Sequence, residues 1–220
     1  MPAGLRVVLD SATKRIDERT LLGGWPSRML RLSPRGAEAL QEIDRAPLQS
    51  TRSRLLARRL TDAGLAHPRP IGRAPTTVTV VIPVRDRSAE LERCLAALGG
   101  SQPVVVVDDC SRDAASIAHI ATAHGARLLR RDAGGGPAAA RNTALAAVDT
   151  DVVVFLDSDC EPPTGWIDRL IGHLDDPLVA AVAPRIVPAA WLSTLSAICG
   201  PIPSRARPVV AVRRKSCSTH

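Results

Sequence analysis

The apolar positions of this chain follow two patterns that meet near residue 76. Before it, short apolar stretches at residues 5–9 and 29–32 flank a Gly23-Gly24 turn, which predicts two small strands. Ser33-Pro34 supplies a capping oxygen and a proline preset for the first helical position, predicting a helix to about Ile43. A second helix is predicted over residues 53–63, with Leu55, Leu56 and Leu60 on one face and Gly64 as its stop. Strands plus two short helices in residues 1–66 predict a small winged-helix-like α+β domain. Residues 67–75 (HPRPIGRAP) are rich in Pro and Gly and have no apolar period, so they read as a linker.

From residue 76 the rhythm becomes strand, helix, strand. VTVVIPV (78–84) and VVVV (104–107) are continuous β-branched runs, as parallel strands buried on both faces require. Between them Leu91, Cys94, Leu95 and Leu98 recur at helical spacing. Further strands are predicted at 127–129 and 152–156, with helices at about 113–124, 138–147 and 165–174. A βαβαβαβ order predicts a doubly wound α/β sheet with right-handed crossovers, spanning residues 76–188. Residues 189–220 are rich in Ser, Arg, Pro and Cys with no helix or strand period, and read as an atypical tail.

Composition changes the picture in three places. The chain has no Tyr, one Phe and three Trp, so its core must be aliphatic. Its net charge of +7 comes from arginine, since Lys14 and Lys215 are its two lysines. Those charges are scattered and base-stacking aromatics are nearly absent, which argues against nucleic acid as a partner. Five cysteines without a CxxC pair suggest reduced thiols in a cytoplasmic protein rather than a zinc site or disulfide framework. No secretory signal pattern opens the chain, and no apolar run reaches the length of a membrane span.

In an open α/β sheet, ligands bind beyond the carboxyl ends of the strands. Pro83-Val84-Arg85-Asp86 follow the first predicted strand, Asp108-Asp109 the second and Asp157-Ser158-Asp159 the fourth. GGGPAAARN (134–142) forms a turn into a helix that carries Arg141 in its second turn. Carboxylates gathered at one rim repel, and Asp157 with Asp159 could share a hard divalent cation, Mg2+ or Mn2+, with a diphosphate. The competing reading is that these aspartates are turn formers and helix caps, Asp108-Asp109 leading into the helix near Asp113. The glycine run is either a plain loop or a set of N–H groups suited to an anion.

Taken in order, VVIPVRDR, VVVVDDCSRD, GGGPAAARNTAL and VVFLDSDCEPP resemble the family 2 glycosyltransferases of the GT-A fold, over about residues 77–188. That resemblance implies a nucleotide-diphospho-sugar donor. Pro83, Val84, Arg85 and Asp86 would line the base pocket and Asp109 would bind the base. Arg141 would lie against the nucleotide, Asp157 and Ser158 near the ribose or metal, and Asp159 on the metal.

The stretches LLGGWPSRMLRLSPRGAEAL (21–40) and LLARRLTDAGLAHP (55–68) look like the small peptide-binding domain of peptide-modification systems. Together with the transferase motifs they resemble the glycosyltransferases of the mycofactocin system. This implies transfer of a sugar, glucose, to a peptide-derived redox cofactor or its precursor. The family continues into an acceptor half with a catalytic carboxylate, and membrane association is compatible with its full-length members. Here the last acidic residue is Asp176, so the donor side is what this chain is expected to hold, with no catalytic base assigned. Two alternatives stand beside this reading. A nucleotidyltransferase would carry a Gly-rich, basic loop after the first strand, and a binding module would hold nucleotide sugar or peptide without transferring anything.

Overall fold

The computed structural model describes residues 1–24, 26–70, 76–184 and 210–213, the last as backbone. It divides into two compact units, Met1–Ala74 with Gly172–Val179, and Pro75–Ile171 with Ala180–His220. Residues 172–179, predicted to belong to the later domain, thus cluster with the first.

In the first unit, β1 (Arg6–Leu9) pairs antiparallel with β5 (Ala66–Arg69). Three further strands, β2 (Lys14–Asp17), β3 (Thr20–Gly23) and β4 (Arg28–Arg31), form an antiparallel sheet in that order. The expected strands at 5–9 and 29–32 therefore belong to different sheets, and the glycine turn joins β3 to β4. Gly24 sits there at φ +83°, where a Cβ would collide with the carbonyl oxygen of Ala63, so glycine is needed on both counts. The expected linker start is corrected as well: residues 67–69 are strand, because β1 offers an edge to pair with.

Helix α1 (Pro34–Arg45) is capped by the Ser33 side chain, which accepts from the Gly36 N–H at 3.1 Å. Helix α2 (Thr51–Asp62) begins earlier than predicted because Ser50 caps it, accepting from Ser53 N–H at 3.0 Å. Its buried face is Ser53, Ala57 and Leu60, while Leu55 points to solvent. Leu21, Leu40, Ile43, Leu48, Leu60 and Leu65 make a leucine-dominated core.

The second unit holds β6 (Val78–Val84), β7 (Val104–Asp108), β8 (Arg127–Arg130), β9 (Val152–Phe155), β10 (Ala181–Val182) and β11 (Val210–Arg213). They form one six-stranded sheet in the order β10-β11-β9-β6-β7-β8. Strands β9, β6, β7 and β8 run parallel, and β11 returns antiparallel beside β9. The chain order steps outward from β6 first to β7 and β8 and then back to β9, so β6 and β9 flank the switch point.

Helices α3 (Ser88–Leu98), α4 (Ala114–Ala123), α5 (Gly136–Ala147) and α6 (Trp166–Ile171) follow strands β6, β7, β8 and β9. On one side of the sheet Val81, Val105, Val107, Val153 and Phe155 pack against Ala140 and Ala144 of α5. Small alanines on that helix let it lie close to β-branched strands. The expectation that 189–220 lacks a strand is corrected by β11, whose Val-Ala-Val-Arg segment pairs with β9. The remainder of that tail, 185–209 and 214–220, lies outside the described residues.

Candidate functional site

The register of the parallel strands brings three polar turns to one rim. Val84 of β6 lies opposite Asp108 of β7, which lies opposite Arg130 of β8. Beyond this edge opens a cleft of about 630 Å3. Pro83, Val84, Arg85 and Arg87 form one wall; Asp109, Gly136 and Pro137 form a second; Asp157, Ser158 and Asp159 close the third. Of the residues singled out in sequence, Asp86 and Arg141 do not line this cleft but brace groups that do.

Asp86 has a left-handed backbone (φ +53°), as does Cys110 in the adjoining turn (φ +63°). The Asp86 N–H donates to Ser111 Oγ at 3.0 Å, and its carboxylate accepts from the Arg112 N–H at 2.7 Å. These bonds tie the turn after β6 to the turn after β7 and hold the strained conformation in place.

Asp108 and Asp109 are both buried. Asp108 accepts from the Ser111 N–H at 2.8 Å and pairs with Arg130. This is the turn-forming role anticipated for it, and Asp113 likewise caps α4 by accepting from Ser116 N–H at 3.0 Å. The Asp109 carboxylate accepts from the Gly135 N–H at 3.0 Å and the Gly136 N–H at 2.7 Å, and pairs with Arg131. Burial by itself pushes the Asp109 carboxyl up. The two glycine N–H groups and then Arg131 outweigh it, and hold the carboxyl below the usual carboxylate range. The N–H groups at the start of α5 thus already serve an anion, the protein's own.

Gly134 meets the end of the Arg85 side chain. A Cβ there would come within 2.6 Å of Arg85 Nη1 and 3.1 Å of its Cζ, so the Arg85 guanidinium rests against the glycine backbone.

The turn after β9 differs in kind. Asp157 accepts from Arg141 Nη2 at 2.7 Å, and that guanidinium lies 5.9 Å from the Phe155 ring centroid. Asp159 accepts from Arg87 Nη1 at 2.8 Å. The buried Nε of Arg141 has no hydrogen-bond partner among the described residues. Beneath the turn, Cys94 Sγ approaches the Asp157 carbonyl oxygen at 3.8 Å. Burial raises the Cys94 thiol to about 12. Burial, then Asp159 and Asp157, raise Cys160 to about 11. Both are inert thiols at neutral pH.

No group of three or more His, Cys, Asp or Glu side chains that could hold a metal occurs among the described residues. Asp157 and Asp159 offer two carboxylates at one turn. This suits a cation such as Mg2+, which is commonly held by one or two carboxylates together with substrate phosphates and water. The unpaired Arg141 N–H beside them fits an additional acceptor at the same place.

Sequence reading assigned no role to Arg87 or Arg131, and named Gly136 and Pro137 only as part of the glycine turn. Arg131 was legible in principle as a basic residue directly after a strand at the ligand-binding rim.

A run of parallel strands with a switch point and a polar cleft at its carboxyl rim places this chain among the α/β proteins that bind ligands beyond their strand ends. The family follows from comparison with known proteins: residues 79–195 match Glycosyl transferase family 2, and the chain belongs to that family. It is 46% identical over 190 residues to the pre-mycofactocin glycosyltransferase of Mycobacterium tuberculosis, covering 85% of this chain and 40% of that protein. It is 32% identical over 101 residues to the glycosyltransferase AglE of Haloferax volcanii, covering 42% of this chain and 33% of AglE. Among solved structures it resembles the mannosyltransferase PcManGT from Pyrobaculum calidifontis in complex with GDP-Man and Mn2+. That match has a TM-score of 0.52 at 25% identity and covers 67% of this chain and 47% of the other. The chain therefore spans about 40% of the length of the mycobacterial relative. Among the described residues no helix is long and apolar enough to cross a membrane.

Proposed function

We propose that this chain binds a nucleotide-diphospho-sugar in the cleft at the sheet rim and belongs to a protein that transfers the sugar, glucose, to mycofactocin or its precursor. The observation that carries the donor assignment is the turn after β9. Its two carboxylates line the cleft, and each is paired with an arginine, Asp157 with Arg141 and Asp159 with Arg87. Carboxylates held in this way can exchange a guanidinium for a cation without unfolding the turn. The name of the mycobacterial relative supports the acceptor.

In this reading Asp157 and Asp159 hold a divalent cation, Mg2+ or Mn2+, with Ser158 between them. The GDP-Man and Mn2+ complex of the Pyrobaculum relative supports the choice. Such a cation would offset negative charge on the leaving diphosphate. Arg141, anchored over Phe155, lies behind the cleft wall and would act on the nucleotide through its pair with Asp157. Pro83, Val84 and Arg85 bound the base, with Asp86 fixing their turn. Asp109 lies beside them in the donor pocket, its four acceptor positions taken by the Gly135 N–H on both oxygens, the Gly136 N–H and Arg131, so it serves the base by holding this wall of the pocket in place. The acceptor-side base is assigned to no residue, since no Asp or Glu follows Asp176. A cytoplasmic location accords with free cysteines Cys94, Cys110 and Cys160.

The test is calorimetry of the 220-residue chain with UDP- and GDP-sugars, with and without Mn2+. Binding that depends on Mn2+ is expected. Failure of every nucleotide sugar to bind in saturating Mn2+ would overturn the donor assignment and leave peptide binding as the function.

For the first unit we propose a winged-helix-like, peptide-binding role. Its outer strand β4 presents Met29, 69% exposed, beside a groove of about 470 Å3. Arg28, Met29 and Leu30 form one side, and Arg58, Arg59 and Ala63 the other. An extended peptide could add a strand to β4 while the groove takes alternate side chains. Titrating precursor peptide into the isotope-labelled chain should shift β4 amide resonances, and unshifted resonances at saturating peptide would rule this out.

A further inference from the structure

The two carboxylates of the turn after β9 that line the cleft are held by arginine pairs of unequal openness. In the inner pair, Arg141 is 25% exposed and Asp157 15%, and the guanidinium is additionally held over Phe155. In the outer pair, Arg87 and Asp159 are 54% and 51% exposed, 2.8 Å apart. Arg87 precedes α3 as its cap residue, and its guanidinium, which has no acceptor with which to cap the helix, reaches Asp159 instead. Its backbone follows the left-handed Asp86, whose hydrogen bonds to Ser111 and Arg112 fix the direction from which Arg87 reaches across to Asp159.

An ion pair this exposed adds about 0–1 kcal/mol to stability, too little to account for a guanidinium placed in a ligand cleft. Its electrostatic consequence is larger. A guanidinium on Asp159 occupies the carboxylate that a cation would take. A cation there repels the guanidinium, and the diphosphate that accompanies it offers new acceptors a few ångströms away. Arginine suits that exchange, because its planar fork binds phosphate oxygens as well as carboxylate oxygens.

We propose that Arg87 is a donor-binding residue that neutralises Asp159 before the donor arrives and transfers its hydrogen bonds to the diphosphate when a cation takes Asp159. The inference rests on the reading of Asp157 and Asp159 as cation ligands. It predicts that removing Arg87 has effects of opposite sign on the two ligands. No bond to carbon forms or breaks in this step; one ion pair is replaced by two.

The experiment measures Mn2+ alone, and then UDP and GDP at saturating Mn2+, on the full chain and its variants. Arg87→Gln should bind Mn2+ about two- to fivefold more tightly, as expected for loss of an exposed competing pair. It should bind the preferred nucleoside diphosphate at least about fivefold more weakly, from loss of charge-assisted hydrogen bonds. Arg87→Lys, which keeps the charge and loses the fork, should match wild type for Mn2+ and fall between for the nucleotide.

Arg93→Gln is the control. It breaks a pair with Glu161 of similar exposure (3.3 Å, 58% and 56%) outside the cleft lining, and should change neither affinity. If Arg87→Gln leaves both affinities unchanged, or weakens both, the exchange is overturned while the donor assignment stands. If the wild-type chain binds neither Mn2+ nor nucleotide, the donor assignment itself fails, and this inference with it.

Discussion

Two acidic turns at the same edge of one sheet make the most instructive comparison in this protein. Asp108-Asp109 follows β7 and Asp157-Ser158-Asp159 follows β9, and as local sequence they look equally suited to a cation. The first pair is buried and saturated: backbone N–H groups of Ser111, Gly135 and Gly136 converge on it, and Arg130 and Arg131 complete it. The second pair lines the cleft and is held by arginines, the outer Arg87–Asp159 pair being half exposed. A carboxylate held by fixed backbone donors becomes part of the scaffold. One held by side-chain cations from across a cleft remains available to ligand.

The largest expected effect tests the scaffold half of that contrast. In Asp109→Asn an amide NH2 replaces one acceptor oxygen opposite the Gly135 and Gly136 N–H groups, and Arg131 loses its charge partner. Chemical denaturation should show a loss of about 2–4 kcal/mol. A loss below about 0.5 kcal/mol would show that the buried turn is as dispensable as an exposed one.

Asp159→Ala tests the other half. Its unfolding midpoint should match wild type, while nucleotide affinity in Mn2+ falls at least tenfold, about 1.4 kcal/mol. Unchanged affinity, with and without EDTA, would remove Asp159 from the cation site.

Acid titration sharpens the contrast. Because the folded Asp109 carboxyl titrates below its ordinary value, its contribution is fully present above the unfolded pKa of about 3.9. It is lost as pH falls through the lower, folded value. Wild type should therefore lose stability more steeply than Asp109→Asn below about pH 4. Parallel acid limbs would contradict the depressed carboxyl.

The smallest effect concerns Cys160, whose thiol Asp159 helps to raise, after burial. Asp159→Ala should lower it and speed iodoacetamide alkylation at pH 8 by less than about threefold. Asp109→Asn should leave that rate unchanged, and mass-spectrometric time courses distinguish the two.

Much of this was legible in sequence wherever a local run was sufficient. The β-branched segments at 78–84 and 104–107 became β6 and β7, because a stretch apolar on both faces fits the interior of a parallel sheet. Ser33-Pro34 opened α1 as its chemistry dictates. By contrast β2 carries Lys14, Arg15 and Asp17 and is wholly exposed, so no apolar alternation announced it. Leu55 looked like core by type, yet the helix buries Ser53, Ala57 and Leu60, because α2 starts at the Ser50 cap and presents that stripe. Strand β11 was missed in a stretch of arginine and proline, since its pairing with β9 joins residues more than fifty positions apart.

The sequence by itself determined which residues could do chemistry: four motifs, in order, at the ends of strands, each with the right atoms for a nucleotide, a phosphate or a cation. The tertiary structure decided what each carboxylate is for. That depends on how many donors reach it and how far water is kept away, and the donors come from other strands and turns. Gly135 lies 26 residues from Asp109 and Arg87 lies 72 from Asp159, so no local pattern could say that the first would be pinned and the second left exchangeable. Short-range order is set by propensity and period, whereas the electrostatic fate of a charged group is set by neighbours that only folding supplies.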